Sequence, residues 1–167
     1  SVTVEVDGQT YDASVVSCDP NADISILDVP NRPSAPLQFA EGEAPSGTDG
    51  IVMGFPGGGE FTATPARVRE IIELQGPDIY RSTTVTREVY TIRGTVRQGN
   101  SGGPMINRGG KVLGVVFGAA VDDVDTGFVL TAGLSVTGDD AAAGVDSAAA
   151  VGAGRKPAGS RGATWAG

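Results

Sequence analysis

The sequence predicts an all-β domain. Glycine is abundant, at 26 of 167 residues, and aromatic residues make up only 5%, a balance typical of many tight turns and few long helices. Short segments with a strand pattern recur at near-regular spacing and are broken by Gly/Pro turns. Apolar residues make up 40%, which is a globular composition with enough residues for one sizeable core. These features predict a barrel or a sandwich.

The first segments predict a hairpin and a short buried strand. Valine stands at positions 2, 4 and 6, Asp7 and Gly8 follow, and an extended pattern resumes over residues 9–16. Asp-Gly between two alternating runs indicates a hairpin, because a type I′ turn needs positive φ. Residues 24–27 (Ile-Ser-Ile-Leu) predict a buried strand, and the Pro-rich residues 31–36 predict a loop.

The middle of the chain predicts further strands. Residues 66–74 fit a strand or a helix by periodicity, and a strand is favoured because Pro65 and the pair Gly76-Pro77 bracket the segment closely. Other strands are expected at residues 50–55, 87–93, 104–106, 111–117 and 127–131. From about Gly138 the composition changes to Ala, Gly and Asp. Residues 139–151 predict a weak helix, and residues 152–167 predict a loose tail.

Charge and composition exclude several classes of function. The net charge is −8 and no Lys/Arg-rich run exists, so a nucleic-acid partner is not expected. No stretch is long and apolar enough for a membrane span. One Cys and no His exclude a zinc site, and neither a metal nor a cofactor is implied. Cys18 is interpreted as a small buried hydrophobe beside Val15 and Val16, with half of a disulfide as the alternative.

Residues 99–104 carry the chemistry of the sequence. They read Gly-Asn-Ser-Gly-Gly-Pro, and glycines around a serine let the backbone turn sharply and approach a substrate closely. Such a turn can direct backbone N–H groups into one pocket, where acyl transfer needs donors for a developing oxyanion. The candidates are the amides of Gly99 and Ser101, with Ser101 Oγ as nucleophile. The alternative is an ordinary Gly/Ser turn between strands; an α/β-hydrolase elbow is disfavoured because no helix follows.

This motif resembles that of the trypsin-like (chymotrypsin-fold) serine proteases, Gly-Asn/Asp-Ser-Gly-Gly-Pro. Residues 21–27 (Asn-Ala-Asp-Ile-Ser-Ile-Leu) are similar to the Asp-Ile/Leu-Ala-Val-Leu segment of bacterial members, whose Asp is the triad acid. The resemblance therefore implies Asp23 as that acid, although an Asp before a strand is otherwise a turn or cap residue. Residues 52–58 resemble the Gly-Tyr/Phe-Pro segment of bacterial members and are interpreted as a strand end and turn. The resemblance covers about residues 1–131.

Four further segments resemble one subgroup, the actinobacterial membrane-anchored periplasmic proteases linked to acid resistance. These segments are residues 55–59, 61–65, 76–80 and 115–120. The resemblance implies an extracytoplasmic protein that acts on peptide or protein substrates, with a membrane tether in a segment preceding Ser1. It also implies two antiparallel six-stranded β-barrels. Residues 1–45 would be the remainder of an incomplete first barrel, residues 46–137 the second barrel, and residues 138–167 an Ala/Gly-rich tail.

The chain departs from the family pattern because it contains no histidine. The family mechanism needs His to take the proton from Ser101 and return it to the leaving amine. In the family this His lies upstream of the Asp, and only 22 residues precede Asp23. We expect that the His-bearing stretch lies before Ser1 and that this fragment is nearly inactive. The alternative is a catalytically dead pseudoprotease that binds peptides in the same groove, and a third is a structural β-domain.

The resemblance also places a primary specificity pocket. The residue six before the nucleophile, Thr95, would lie at the pocket base, and Gly127 would border it. Residues Val116, Phe117 and Gly118 would line one wall and pair with the substrate backbone. Because Thr95 is neutral, we expect uncharged P1 side chains. The acidic residues at positions 122, 123 and 125 are interpreted as a solvated turn, with a carboxylate that reaches the pocket as the alternative.

Overall fold

The structure, a computed structural model, describes residues 2–31, 35–77 and 80–132, together with the backbone of residues 148–151. It is built of strands with one short 3-10 helix. The elements are β1 (Val2–Val6), β2 (Gln9–Asp19), β3 (Ile24–Asp28), β4 (Asp49–Gly54), η1 (Pro56–Gly58), β5 (Thr62–Pro77), β6 (Thr84–Arg93), β7 (Pro104–Asn107), β8 (Val112–Ala119), β9 (Thr126–Thr131) and β10 (Ala148–Val151). Among these elements, no helix is long and apolar enough to cross a membrane.

Six strands close into an antiparallel barrel in the order β4-β5-β6-β9-β8-β7. The register shifts between Val68 and Glu70 on β5, and between Val116 and Gly118 on β8. Such bulges bend and twist a strand, which a closed barrel needs. Alternate side chains fill the interior. Its buried apolar residues are Val52, Ala66, Val68, Tyr90, Ile92, Val96, Met105, Leu113, Val116 and Val129.

The remaining strands form an open sheet in the order β1-β2-β3-β10. Asp7 (φ 49°) and Gly8 (φ 76°) connect β1 to β2, and Val6 pairs with Gln9. Both turn residues have positive φ, as the predicted type I′ hairpin requires. The all-β prediction is confirmed, with one complete six-stranded barrel and a first sheet that is not closed into a barrel.

The region between residues 62 and 77 is one long strand, β5, so the strand assigned to residues 66–74 is confirmed. The weak helix predicted over residues 139–151 is wrong for its last four residues, since Ala148–Val151 form β10 and pair with β3. An edge strand offers unpaired backbone groups, and this ladder outweighs a short helix that lacks a stable nucleus. The rest of that helix and the tail at 152–167 lie outside the described residues.

Cys18 is exposed and free, so its assignment as a buried hydrophobe is wrong. Val15 and Val16, its apolar neighbours in sequence, are also exposed, at 54% and 46%. The register between β2 and β3 shifts at Val15 and Ser17, and a shift of one residue moves the following side chains to the other face. Apolar neighbours in the sequence therefore do not indicate the face on which Cys18 lies.

Candidate active site

The predicted nucleophile loop is a tight turn between β6 and β7 that is held by hydrogen bonds within the loop. Gly99 (φ 98°) and Gly102 (φ 84°) both have left-handed backbone, which glycine adopts without steric cost. Asn100 is only 3% exposed; its amide donates to Arg97 O at 2.9 Å, and its side-chain Oδ1 accepts from Arg97 N at 2.9 Å. The buried Asn100 therefore holds the turn closed through its two hydrogen bonds to Arg97, a role that the sequence motif did not reveal.

The turn between β4 and β5 holds the same loop from one side. Gly57 N donates to Gln98 O at 2.7 Å, and Phe55 N donates to Gly99 O at 3.4 Å. A Cβ on Gly99 would collide with the carbonyl oxygen of Phe55, and one on Gly103 with that of Met53. The peptide that carries the Gly99 amide is therefore fixed by direct contact with this turn.

Strand β8 holds the loop from the other side. Gly102 N donates to Val116 O, and Val116 N donates to Gly103 O, each at 2.8 Å. Ser101 is half-buried, and its Oγ donates to Phe117 O at 3.2 Å. Within the described part of the chain, the amides of Gly99 and Ser101 donate to no backbone carbonyl. An oxyanion pocket requires amides of this kind directed at one point, so both amides remain candidates for that role.

Asp23 lies in the turn between β2 and β3, with left-handed backbone at φ 60°. Asp19 Oδ1 accepts hydrogen bonds from Asn21 N at 2.9 Å and from Ala22 N at 3.2 Å, which caps the turn. Burial raises the pKa of the Asp23 carboxyl above its usual 3.8, and the positive charge of Arg87 partly opposes that rise. The Asp23 carboxyl group is therefore partly shielded from solvent.

A cluster of buried side chains joins the open sheet to the barrel near both residues. Its members are Ala22, Ile24, Val89, Phe117 and Leu130. Ala22 precedes Asp23 in the turn, and the Phe117 carbonyl accepts the hydrogen bond from Ser101. Through Ala22 and Phe117, the Asp23 turn and the Ser101 loop therefore contact the same cluster, where the open sheet packs on the barrel.

The other predicted substrate-binding residues lie on β8, on β9 and before the loop. Gly118 and Gly127 are buried, and Thr95 is exposed. A Cβ on Gly127 would come within 2.5 Å of Val96 Cγ2, so Gly127 packs beside the residue that follows Thr95. The side chain of Phe117 belongs to the interior cluster. What Phe117 offers to the loop is therefore its carbonyl and not its ring.

The acidic turn between β8 and β9 is exposed and internally capped. Asp123 Oδ2 accepts from Thr126 Oγ1 at 2.8 Å, and Oδ1 accepts from Asp125 N at 3.0 Å. These hydrogen bonds, and more weakly Arg69 and Arg93, lower the pKa of Asp123. A surface cavity holds Asp123 and Asp125 together with both arginines, so this turn faces basic side chains of β5 and β6. Among the described residues, no group of three or more His, Cys, Asp or Glu could hold a metal ion.

Sequence reasoning missed Arg87, which is 1% exposed on β6. Its guanidinium lies over the Phe117 ring, 5.0 Å from the ring centroid. A signal was present, because Arg87 stands two residues before Val89 in a strand pattern and therefore shares its buried face.

Comparison with known proteins gives the chain its family. Residues 2–115 match the trypsin-like peptidase domain family. The serine protease Rv3671c of Mycobacterium tuberculosis is 60% identical over 134 residues, which are 80% of this chain and 34% of that protein. The chain thus spans about a third of the length of this relative. The periplasmic pH-dependent serine endoprotease DegQ of Escherichia coli is 26% identical over 141 residues, 78% of this chain and 29% of that protein.

Solved structures agree with the sequence relatives. The active form of the Rv3671c protease from M. tuberculosis superposes with a TM-score of 0.76 at 60% identity, over 78% of this chain and 58% of that chain. An HtrA-type protease, AlgW with a decapeptide, superposes with a TM-score of 0.60 at 22% identity, over 77% of this chain and 39% of that chain, which shows the fold alone. The chain therefore belongs to the trypsin-like serine protease family.

Proposed function

We propose that this chain is part of a serine endopeptidase that hydrolyses peptide bonds through a Ser-His-Asp triad. Ser101 would be the nucleophile, Asp23 the acid, and the histidine would come from a segment preceding Ser1. The observation that carries the proposal is the hydrogen bond from Ser101 Oγ to Phe117 O. It holds the hydroxyl on Phe117, a member of the cluster to which Ala22 of the Asp23 turn also belongs.

The chemistry assigns one role to each group. Ser101 Oγ would attack the scissile carbonyl carbon, an imidazole would take the hydroxyl proton, and the amides of Gly99 and Ser101 would donate to the oxyanion. Asp23 would hold the imidazole in the correct tautomer and stabilise its cationic form. In the present structure the hydroxyl proton of Ser101 points to a carbonyl oxygen, which is not a base. We therefore expect little hydrolysis from this chain by itself.

Substrate would bind along β8, where Val116, Phe117 and Gly118 would line one wall of the site. The N–H and C=O of Val116 already bond to Gly103 and Gly102, so pairing with an extended peptide would fall to the residues that follow Val116. Thr95 and Gly127 would shape the primary pocket. Because Thr95 carries no charge, the enzyme should prefer uncharged P1 side chains. The capped, exposed position of Asp123 supports this proposal, since its carboxylate is occupied by the turn. A P1 peptide library that returned mainly Arg or Lys would contradict it.

The location of the protein is proposed from its relatives. DegQ is named as periplasmic, and a DegP-like relative from Chlamydia pneumoniae, 29% identical over 110 residues, is also named as periplasmic. By analogy the chain would work outside the cytoplasm, on peptide or protein substrates. The resemblance to the membrane-anchored subgroup adds the proposal that the parent protein is anchored to the membrane.

The test is to express the chain with the native segment that precedes it, provided that this segment contains a histidine. A fluorophosphonate probe should then label the protein and block peptide hydrolysis, and Ser101→Ala should abolish both. Asp23→Asn in the same protein should lower kcat by several orders of magnitude, because the imidazole loses its correct tautomer.

The alternative is a pseudoprotease that binds peptides without turnover. It predicts saturable peptide binding to the extended protein but no labelling and no cleavage. Binding that survives Ser101→Ala, together with the absence of hydrolysis, would replace the endopeptidase proposal with this one.

A further inference from the structure

Two exposed phenylalanine rings, here called the aromatic pair, lie in contact at the turn between β4 and β5. Phe55 and Phe61 are each 56% exposed, and their ring centroids lie 5.8 Å apart with an interplanar angle of 65°. Gly54 and Thr62, which precede and follow them, form the last pair between the two strands, so the hairpin itself brings the rings together. Single exposed apolar side chains are ordinary, whereas apolar side chains that touch on the surface indicate a contact site.

The backbone that carries the aromatic pair is fastened to the nucleophile loop. Phe55 N donates to Gly99 O at 3.4 Å, and Gly57 N donates to Gln98 O at 2.7 Å. The Phe55 carbonyl accepts from Gly58 N at 2.9 Å, which closes the short 3-10 turn η1. The aromatic pair is therefore held beside the peptide that carries the Gly99 amide, a candidate oxyanion donor.

The path of a substrate follows from what each end of the loop is bonded to. Residues 98 and 99 bond to the turn between β4 and β5, and residues 102 and 103 bond to β8. In the proposed function the acyl half of the peptide binds along β8, with its P1 side chain towards Thr95 and Gly127. An extended peptide that crosses Ser101 from that side continues over the turn. The half that leaves as the amine therefore meets the aromatic pair within its first residues, because an extended chain advances about 3.3 Å per residue.

We propose that the aromatic pair binds the leaving half of the substrate and selects large apolar side chains in the first two positions after the scissile bond, P1′ and P2′. The inference rests on the proposed function, because it takes Ser101 as the nucleophile. Phenylalanine rings offer a large apolar contact area, and covering half-exposed rings with an apolar side chain removes both surfaces from water. A serine or another small polar side chain in these positions gains no such contact.

A lipid surface is the other class of partner that exposed phenylalanines can serve. Residues 55–61 read Phe-Pro-Gly-Gly-Gly-Glu-Phe, with no basic residue, and the chain has a net charge of −8. Anionic membranes attract segments rich in Lys and Arg. The charge around the aromatic pair therefore favours a peptide over a bilayer.

The test uses the chain extended by its native preceding segment, with two internally quenched peptides that are identical up to P1. One peptide carries phenylalanine at P1′ and P2′, and the other carries serine. The wild-type kcat/KM should be about tenfold higher for the phenylalanine peptide, the low end of what an apolar contact discriminates. Phe61→Ala should bring this ratio close to one, and Phe61→Leu, which keeps an apolar side chain, should retain most of it. Phe61 is chosen because the backbone of Phe55 holds the loop.

Leu37→Ala is the matched control for the loss of an exposed apolar side chain. Leu37 is 54% exposed, and its neighbour Gln38 accepts a hydrogen bond from Val112 N, at the end of β8 far from the loop. This variant should keep the wild-type ratio between the two peptides.

Three results would overturn the inference. The first is a wild-type ratio near one, and the second is a Phe61→Ala ratio that stays at the wild-type value. The third is an equal loss of kcat/KM for both peptides in Phe61→Ala, because that shows damage to the site and not a change of selection. Binding to vesicles of phosphatidylcholine and phosphatidylglycerol that Phe61→Ala abolishes, with an unchanged peptide ratio, would assign the aromatic pair to a membrane instead.

A second measurement needs no turnover and uses the chain by itself, labelled with ¹³C in its phenylalanine rings. The tripeptide amide Phe-Phe-Ala, which represents the leaving amine, should shift the ring resonances of Phe55 and Phe61 saturably, and Ser-Ser-Ala amide should not. Phe39 is the internal control, because it bridges to Val112 at the far end of β8, and its resonances should stay in place. Rings of the aromatic pair that respond to neither peptide, or equally to both, would contradict the inference.

The two measurements separate this inference from the proposed function. An extended wild-type protein that a fluorophosphonate never labels refutes the endopeptidase, and the ring titration then decides by itself whether the aromatic pair binds apolar peptide ends. Normal labelling with a wild-type ratio near one refutes the role of the aromatic pair alone.

Discussion

At the scale of the residue, the loop at 99–104 depends on glycines for two separable reasons. Gly99 needs left-handed backbone, at φ 98°, and a Cβ at this position would collide with the carbonyl oxygen of Phe55. Gly110 needs only the first of these, since it has φ 75° and nothing lies within 4 Å of the position of a Cβ. The two positions therefore distinguish backbone conformation from close contact.

We expect Gly99→Ala to destabilise the chain more than Gly110→Ala. An L-residue with left-handed backbone costs about 1–2 kcal/mol, which is the whole expected effect at position 110. At position 99 the new methyl group must also displace Phe55 or the loop, so the loss should exceed that range. Urea unfolding measures both free energies. Equal losses would mean that the contact with Phe55 yields easily and does not fix the loop.

The charge of Asp23 makes stability depend on pH. Burial raises its pKa in the folded chain above the ordinary 3.8, so the folded state binds a proton more tightly than the unfolded state does. Ionisation therefore makes folding less favourable at neutral pH, and that disadvantage disappears as pH falls through the raised pKa. Asn stays neutral and tolerates a left-handed backbone, which Asp23 adopts with φ 60°.

It follows that Asp23→Asn should be more stable than the wild-type chain at pH 7. The difference should shrink on acidification and vanish below about pH 3.8, where Asp23 is protonated in both states. Thermal unfolding across this pH range provides the measurement. A difference that is constant with pH would show that the substitution acts through packing and not through the charge.

At the scale of the element, local signals were sufficient where the turn itself dictates the structure. Asp7 and Gly8 gave a hairpin because few residues adopt positive φ twice in succession. The strand over residues 66–74 followed from prolines that leave no room for a helix. The predictions of a buried Cys18 and of a helix where β10 lies were wrong for a common reason. The face of a strand after a bulge, and the pairing of distant segments, are set by tertiary contacts that no local pattern contains.

One such tertiary contact fastens the segment before β4 to the barrel. Ala44 N donates to Tyr90 Oη at 2.8 Å, and Tyr90 is 1% exposed on β6. Tyr90→Phe should destabilise the chain by about 1 kcal/mol, the net value of one such hydrogen bond. Tyr11→Phe is the matched control, because its hydroxyl donates to Gln9 at the surface, and it should stay within about 0.5 kcal/mol. Urea midpoints that do not separate the two variants would contradict this account.

At the scale of the whole molecule, the sequence predicted the local part of the candidate site and missed its long-range part. The glycines and the serine lie within the six residues 99–104, so the sequence itself indicates which backbone conformations this loop requires. Arg87 meets Phe117 only because the closed barrel places β6 and β8 on either side of β9. A ring on one strand and a guanidinium on another meet through the fold, and no spacing in the sequence encodes that contact.

Phe117 joins the open sheet to the barrel. Its buried ring packs with Ala22 and Ile24 of the open sheet and with Val89 and Leu130 of the barrel. Phe117→Ala should destabilise the chain by about 3–5 kcal/mol, the usual range for deleting a buried aromatic side chain.

Phe61→Ala is the control for Phe117→Ala, since Phe61 is 56% exposed and its ring makes an edge contact with the Phe55 ring. This variant should lose less than about 1 kcal/mol. Hydrogen exchange adds the structural readout. In Phe117→Ala the amides of β3 should exchange faster relative to those of β4, because the open sheet loses its anchor while the barrel keeps its own core. Uniform acceleration in both sheets would instead show that the open sheet and the barrel unfold as one unit, with Phe117 a core residue of the whole and not a joint between two parts.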